Sequence, residues 1–254
     1  MMHTREDILE LLKPFMLEHP KVLAVWEGGS AATNHVDAYS DVDLMVVTDK
    51  DAIESLFEEF ETRLNETFGI VEKYRVKEPA WHGFSQCFYH LETTEPWLYL
   101  DLCILPKEID DHFTAKDRHG EAKVWKDTIG FIKNDETPKA IYQQRLKRYY
   151  ESATASEFIL RLEIDKAFRR EQFIDAYEFM HTYIVRHLAP LLNIQHRPAK
   201  VDFGLRYAER EYSANDYTLL LSFYRASSLN ELDKVFKLIL SRFETLKTQF
   251  IDLV

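Results

Sequence analysis

Apolar positions along this chain follow two different periods, and the change between them separates two parts of the sequence. Residues 4–17 and 50–68 have the spacing of amphipathic helices, and the first has Thr4 as its N-cap, with Asp7 completing an approximate capping box. The second is expected to bury one apolar face, made of Ile53, Leu56, Phe57, Phe60, Leu64 and Phe68. Short apolar runs elsewhere in the first half are typical of buried strands. These predicted strands cover residues 22–26, 43–47, 84–91 and 97–105.

After Thr137-Pro138 the strand pattern gives way to helical spacing almost to the end of the chain. Pro138 suits the first turn of a helix. The predicted helices cover residues 139–151, 154–169, 172–192, 214–226 and 229–252. In the last of them a stripe of apolar residues fits either a dimer seam or the core of a bundle. Four other amphipathic helices favour an intramolecular bundle, and the chain is expected to be a monomer or a homodimer.

The two patterns predict a fold of mixed α/β and α+β character. Residues 1–132 are expected to form a mixed β-sheet domain with flanking helices, and residues 133–254 an all-α helical bundle domain. At 254 residues and 46% hydrophobic, the chain has enough apolar surface for one large core or two smaller ones.

Charge changes the picture of what the protein binds. The formal net charge of −11 is uneven, because residues 1–130 carry −13 and the remainder carries +2. A nucleic-acid-binding protein normally presents a basic surface to phosphates, so a polynucleotide partner is disfavoured. Metal cations or a cationic small molecule fit the acidic half better.

The chain shows no sign of a membrane or redox role. No apolar run approaches the roughly 18 to 20 residues that cross a bilayer, and the first residues lack the features of a signal peptide. We therefore expect a soluble, cytoplasmic protein. Cys87 and Cys103 lie within apolar runs, which favours buried structural thiols over a disulfide or a metal site.

Two carboxylates stand at the start of a predicted buried strand. Because side chains alternate along a strand, Asp41 and Asp43 share one face and lie roughly 6 to 7 Å apart. Such a pair repels and is costly to bury without a counter-charge. A divalent cation would supply that charge, and Mg²⁺ typically takes one or two carboxylates together with water and phosphate oxygens.

Two further features complete a candidate site. Gly28, Gly29 and Ser30 precede the carboxylates and would offer a phosphate their backbone N–H groups and a hydroxyl. Asp101 is flanked by leucines inside an otherwise apolar strand, where an isolated charge would be expensive. If its strand lies beside the one that carries Asp43, all three carboxylates can converge on metal ions.

Together, the Gly-Gly-Ser turn, the Asp-Val-Asp pair and Asp101 resemble the nucleotidyltransferase superfamily typified by DNA polymerase β and the antibiotic nucleotidyltransferases. The resemblance implies that residues 1–132 are the catalytic domain. It also implies that Asp41 and Asp43 bridge two Mg²⁺ ions, with Asp101 as a ligand of the second ion or as a general base. The helical half is loosely similar to the aminoglycoside and lincosamide branch of this superfamily. That similarity implies that Lys200 contacts the triphosphate.

The implied function is transfer of a nucleoside monophosphate, with AMP from ATP favoured, to a hydroxyl of a small molecule, with release of pyrophosphate. The acidic half favours a cationic acceptor such as an aminoglycoside antibiotic. Two alternatives stay open: a catalytically silent nucleotide sensor of the same fold, and an enzyme that modifies a protein or tRNA. No Walker A or H-E-x-x-H sequence occurs. Trp81, Tyr89 and Trp97 could stack on a base or sugar, although packing is the favoured role.

Overall fold

The computed structural model describes residues 2–80, 82–109 and 114–253 and contains two compact units, Met1–Glu136 and Thr137–Val254. The predicted mixed sheet with flanking helices, followed by an all-helical part, is confirmed. The elements of the first unit are α1 (Arg5–Glu18), β1 (Ala24–Glu27), α2 (Gly29–Ala32), β2 (Val42–Thr48), α3 (Ile53–Phe68), β3 (Ile70–Arg75), β4 (Ser85–Leu91), β5 (Tyr99–Pro106), α4 (Lys116–His119) and β6 (Lys123–Asp127).

The six strands form one sheet in the order β3-β4-β5-β2-β1-β6. The β2 and β5 strands are parallel, and every other neighbouring pair is antiparallel. The register of the parallel pair places Asp43 directly opposite Asp101. The strand pairing on which the candidate site depends is therefore present.

One face of this sheet carries the main core of the first unit. Val42, Leu44 and Val46 alternate onto that face and are fully buried, as the period of two requires. The helices α1 and α3 cover it. All six apolar residues predicted to line one face of α3 are buried: Ile53, Leu56, Phe57, Phe60, Leu64 and Phe68. The capping box at Thr4 and Asp7 is also present and begins α1 at Arg5.

The opposite face of the sheet has an apolar part and a polar part. At one end a smaller apolar cluster includes Trp26, Val47 and Cys103. At the other end lie the carboxylates, which alternation places on the same face as Val47. Because only part of this face is covered by the apolar cluster, polar side chains on the rest of it can meet a ligand.

The second unit is a helical bundle. Its helices are α5 (Lys139–Ala155), α6 (Glu157–Arg169), α7 (Phe173–Tyr183), α8 (Ala189–His196), α9 (Ala208–Glu211), α10 (Ala214–Tyr224) and α11 (Leu229–Gln249). The helix predicted over 172–192 is present as a continuous helical segment, in which a π-helical stretch at Ile184–Leu188 joins α7 to α8.

The apolar stripe of α11 lies in the core of this unit. Its central residues Phe236, Ile239 and Phe243 are buried against the other helices. The intramolecular bundle predicted for the stripe is therefore confirmed. In the part of the chain that the structure describes, no helix is both long enough and apolar enough to span a bilayer.

Candidate functional site

The register of two parallel strands builds the centre of the site. Asp43 is the second residue of β2, and Asp101 is its direct partner on β5. Neighbouring strands lie about 4.8 Å apart, so the two carboxylates start from adjacent positions on one face. Asp41 precedes β2 by one residue and lies close enough to Asp101 to disfavour its ionisation.

Asp101 is held by groups on its own face of the sheet. The Gln86 Nε2 donates to both of its carboxylate oxygens, at 2.8 and 2.9 Å, and the Cys103 Sγ donates to Oδ1 at 3.5 Å. Burial raises the pKa of Asp101 and the charge of Asp41 raises it further, which outweighs these hydrogen bonds. Hydrogen-bond donors thus orient the Asp101 carboxylate, and it is nevertheless more basic than the carboxylate of an ordinary aspartate.

Tyr99 is a site residue that the sequence did not indicate. It lies two residues before Asp101 on the same face of β5, with its hydroxyl near Asp41. Burial raises the pKa of Tyr99, and so do the nearby Asp41 and the charges of Asp43 and Asp101. The phenol therefore stays protonated beside the carboxylates. The signal that could have identified Tyr99 was its position two residues before Asp101, since side chains two residues apart on a strand share a face.

The Gly28-Gly29-Ser30 segment lies directly against Asp43. The Gly28 backbone N–H donates to the Asp43 carbonyl at 3.0 Å. Gly29 has φ of +52°, and a Cβ at this position would lie 2.6 Å from the Asp43 Cγ and closer still to Oδ2. Only glycine therefore allows this approach. The segment differs from the predicted tight turn, because Gly29 already begins the four-residue helix α2.

The Ser30 hydroxyl is buried and has no hydrogen-bond partner among the described residues. A pocket of about 120 Å³ beside the segment is lined by Gly28, Gly29 and Asp43, and also by His119 and Gly120. At Gly120, φ is +82°, and an added Cβ would meet the backbone of Ala32 at the end of α2. His119 and Gly120 come from a segment in which the sequence showed no signal.

The loop between α2 and β2, residues 33–41, is organised by its own polar groups. Asp37 accepts hydrogen bonds from the Tyr39 backbone N–H at 2.9 Å and from the Ser40 hydroxyl at 3.1 Å. The Trp97 indole donates to the Ala38 carbonyl at 3.2 Å. Asp37 thus stabilises a turn, which agrees with loop polarity as the favoured role of such residues.

The remaining sequence candidates have other partners. Tyr89 is fully buried and donates to Glu61, as the packing interpretation predicted, whereas Trp81 lies outside the described residues. Lys200 ends a short 3₁₀ turn in the second unit, and its ammonium lies 2.7 Å from Glu211. Lys200 therefore already has a partner, and its contact with a triphosphate stays a prediction.

The residues present suit a hard cation in their chemistry. Asp41, Asp43 and Asp101 offer carboxylate oxygens, the ligands that Mg²⁺ prefers, beside the buried Ser30 hydroxyl, which has no hydrogen-bond partner in the described part of the chain. Over residues 2–80, 82–109 and 114–253, however, no group of three or more His, Cys, Asp or Glu side chains is arranged to hold a metal ion. A cation at Asp101 would compete with the Gln86 amide for the same oxygens.

Comparison with known proteins finds one family model that matches part of the chain. Residues 9–92 match the family model of the nucleotidyltransferase domain. This range includes the glycine segment, Asp41 and Asp43, and it ends before Asp101. No curated protein matches the chain significantly.

Solved structures overlap with the chain only weakly. A nucleotidyltransferase-like protein from Exiguobacterium sibiricum is 12% identical, with a TM-score of 0.44 over 98% of this chain and 76% of its own. The STING-associated CdnE c-di-GMP synthase from Capnocytophaga granulosa is 13% identical, with a TM-score of 0.33 over 99% and 81%. The GLD-2/RNP-8 complex is 10% identical, with a TM-score of 0.31 over 89% and 65%. Overlaps this low carry no argument about this chain.

The family match covers the strand, glycine segment and Asp-Val-Asp pair on which the sequence resemblance depended. Over residues 9–92 the chain is therefore similar to nucleotidyltransferase domains, in agreement with the sequence resemblance.

Proposed function

We propose that this protein transfers a nucleoside monophosphate from a nucleoside triphosphate, with ATP favoured, to a hydroxyl of a cationic small molecule, with Mg²⁺ as its cofactor. The observation that carries the proposal is the pairing of Asp43 with Asp101 across two parallel strands, at the point where Gly29 lies against the Asp43 side chain. A phosphate-binding segment and a set of carboxylates thus meet at one point of the sheet.

The glycine segment would bind the phosphates. Gly28 and Gly29 carry no side chain to keep a phosphate from their backbone, and the Ser30 hydroxyl is available as a donor because no described residue is its hydrogen-bond partner. Asp41, Asp43 and Asp101 would hold Mg²⁺. When bound, the metal would neutralise the triphosphate and lower the pKa of the acceptor hydroxyl.

Two residues would keep the carboxylates in position. The Gln86 amide would orient Asp101 through its two hydrogen bonds, and the protonated Tyr99 hydroxyl would stand beside Asp41. The acceptor oxygen forms its new bond to the α-phosphorus as the bond to pyrophosphate breaks. Asp101 would accept the hydroxyl proton, and its raised pKa suits a base. The metal-ligand role of Asp101 is the alternative.

A silent nucleotide sensor is the second candidate, and one observation favours it. Both oxygens of Asp101 already accept hydrogen bonds from Gln86, and the described carboxylates are not arranged as a metal cluster. A sensor would bind nucleotide through the glycine segment without turnover.

Pyrophosphate release from MgATP and MgGTP, with a panel of hydroxylated amines as acceptors, tests both candidates. We expect release with wild type, loss of release with Asp41→Asn, and retention with the exposed control Asp51→Asn. Near-normal transfer by Asp41→Asn would contradict the proposed function. Nucleotide binding without release under any condition would favour the sensor.

A further inference from the structure

A buried ion pair lies behind the candidate site, on the face of the sheet that α1 and α3 cover. Glu27 is the last paired residue of β1, and its partner on β2 is Leu44, which belongs to the core on that face. The Arg5 guanidinium, at the start of α1, pairs with the Glu27 carboxylate. The two side chains are only 11% and 8% exposed, so both charges lie inside the protein.

The same guanidinium also contacts the site. The Arg5 Nε donates to the backbone carbonyl of Asp41 at 3.2 Å. Asp41 lies one residue before β2 and outside the ladder that pairs Asp43 with β5. Glu27 directly precedes Gly28, where the glycine segment begins. One side chain therefore joins the segment that would bind phosphate to the segment that carries the first carboxylate.

The position of Arg5 is fixed by its neighbours in the chain. The His3 backbone N–H donates at 2.7 Å to a carbonyl in the connection between β4 and β5. Thr4 is the N-cap of α1, and its backbone N–H donates to the Asp7 carboxylate at 2.6 Å. A positive charge in the first turn of a helix is disfavoured by the helix dipole. Local structure thus anchors Arg5 where its own helix disfavours it, and the Glu27 carboxylate offsets that cost.

We propose that Arg5 is a positioning residue of the reaction, which fixes Asp41 relative to the glycine segment through its ion pair with Glu27. The inference rests on the proposed function, since it concerns the placement of a proposed metal ligand. A guanidinium suits this role because it is planar and offers several donors in fixed directions. The ion pair restrains the plane of the group, and the Nε donor then sets the position of the Asp41 backbone.

A double substitution separates this role from a merely structural one. Removal of one partner leaves a buried charge without its counter-charge, which destabilises a fold strongly. Replacement of both partners by apolar side chains of similar size is often neutral or stabilising. The double variant Arg5→Met, Glu27→Met should therefore keep the fold while it loses the contact to Asp41. Arg5→Lys is a second variant, because it keeps the positive charge but lacks the Nε donor.

Mn²⁺ titration of the full chain without nucleotide measures how well the carboxylates are placed, independently of turnover. Free Mn²⁺ is followed by electron paramagnetic resonance, and thermal unfolding gives the Tm of each variant. Asp41→Asn shows the effect of losing a ligand. Arg75→Met is the matched control, because Arg75 is a half-buried arginine of the same unit that pairs with Glu54 and Glu78 on the edge strand β3.

We expect the double variant and Arg5→Lys to raise the Kd for Mn²⁺ about 10-fold, the usual scale for loss of a group that orients a metal ligand. The Tm of the double variant should stay within a few degrees of wild type, and Arg75→Met should leave the Kd unchanged. The proposal is overturned if wild type does not bind Mn²⁺, if the double variant binds it as tightly as wild type, or if Arg75→Met weakens binding equally. If the double variant does not fold, Arg5→Lys decides by the same comparison.

The outcome is separable from that of the proposed function. Weaker Mn²⁺ binding by the double variant, with no pyrophosphate release by wild type, would keep Arg5 as the residue that positions a metal ligand and remove the transferase. Release by wild type, with equal Mn²⁺ affinity in the two proteins, would remove the positioning role and leave the transferase.

Discussion

Substitution of Gly29 by alanine should separate the geometry of the site from the stability of the fold. The new Cβ would lie 2.6 Å from the Asp43 Cγ and 3.2 Å from its Cβ. Carbon atoms in contact are about 3.5 to 4.0 Å apart, so the carboxyl group has to retreat by about 1 Å. A displacement of that size in a reacting group costs on the order of 10²-fold in rate.

The same substitution also carries a backbone cost, because Gly29 has φ of +52°. An alanine in the left-handed region costs about 1–2 kcal/mol. Gly130→Ala is the matched control, since Gly130 has φ of +67° and nothing within 4 Å of an added Cβ. Both variants should lose similar free energy of unfolding, and only Gly29→Ala should lose activity.

Urea unfolding would give the stability of each variant, and pyrophosphate release from MgATP with a hydroxylated amine would give its turnover. We expect turnover of Gly29→Ala to be about 10²-fold below that of Gly130→Ala. Turnover of the two variants within twofold of each other would refute the reasoning. It would mean that the position of the Asp43 carboxylate does not limit the reaction.

Three further predictions follow from single side chains. Asp101→Asn should reduce pyrophosphate release by at least about 10²-fold. Its Tm should stay equal or rise, because the substitution removes a charge that burial and Asp41 disfavour, and a lower Tm would contradict this explanation. Ser30→Ala should raise the KM for ATP in a steady-state assay and change the free energy of unfolding by less than about 0.5 kcal/mol, since the hydroxyl makes no hydrogen bond with any described residue. Burial raises the pKa of Asp216, but hydrogen bonds from Arg242 and from other groups around the carboxylate outweigh burial, so the pKa is lowered. The stabilisation that Asp216 gives the fold is therefore present above the pKa of the unfolded state and is lost as the pH falls through the pKa of the native state. Asp216→Asn should therefore cost about 2–4 kcal/mol at pH 7, and urea unfolding should show that cost shrinking below about pH 4; a constant cost would count against the ion pair.

Local periodicity was enough for some elements and not for others. The helix α3 was predicted with all of its buried residues, because its apolar positions repeat every three or four residues. The edge strands β3 and β6 were missed. Most of their residues are exposed or half-buried, and charged side chains interrupt the alternation. Edge strands commonly carry such charges, which hide them from a pattern search.

The site shows a similar division. Gly28 to Ser30 and the Asp-Val-Asp pair are close in the chain, so one short segment reveals them. Asp101 was predicted because a charge inside an apolar strand is conspicuous. Gln86 and Tyr99 carry no such mark, since an amide or a phenol on a strand is ordinary until the neighbouring strand is known.

The sequence by itself determined the two-part architecture, the glycine segment and the identity of the three carboxylates, because each depends on the spacing of residues along the chain. Only the tertiary structure decided that Asp43 faces Asp101, that Gly29 leaves no room for a side chain, and that Arg5 contacts both Glu27 and Asp41. The physical reason is register. A shift of one residue in the pairing of a strand would move the side chains of that strand to the opposite face of the sheet, and register is set by packing across the whole sheet.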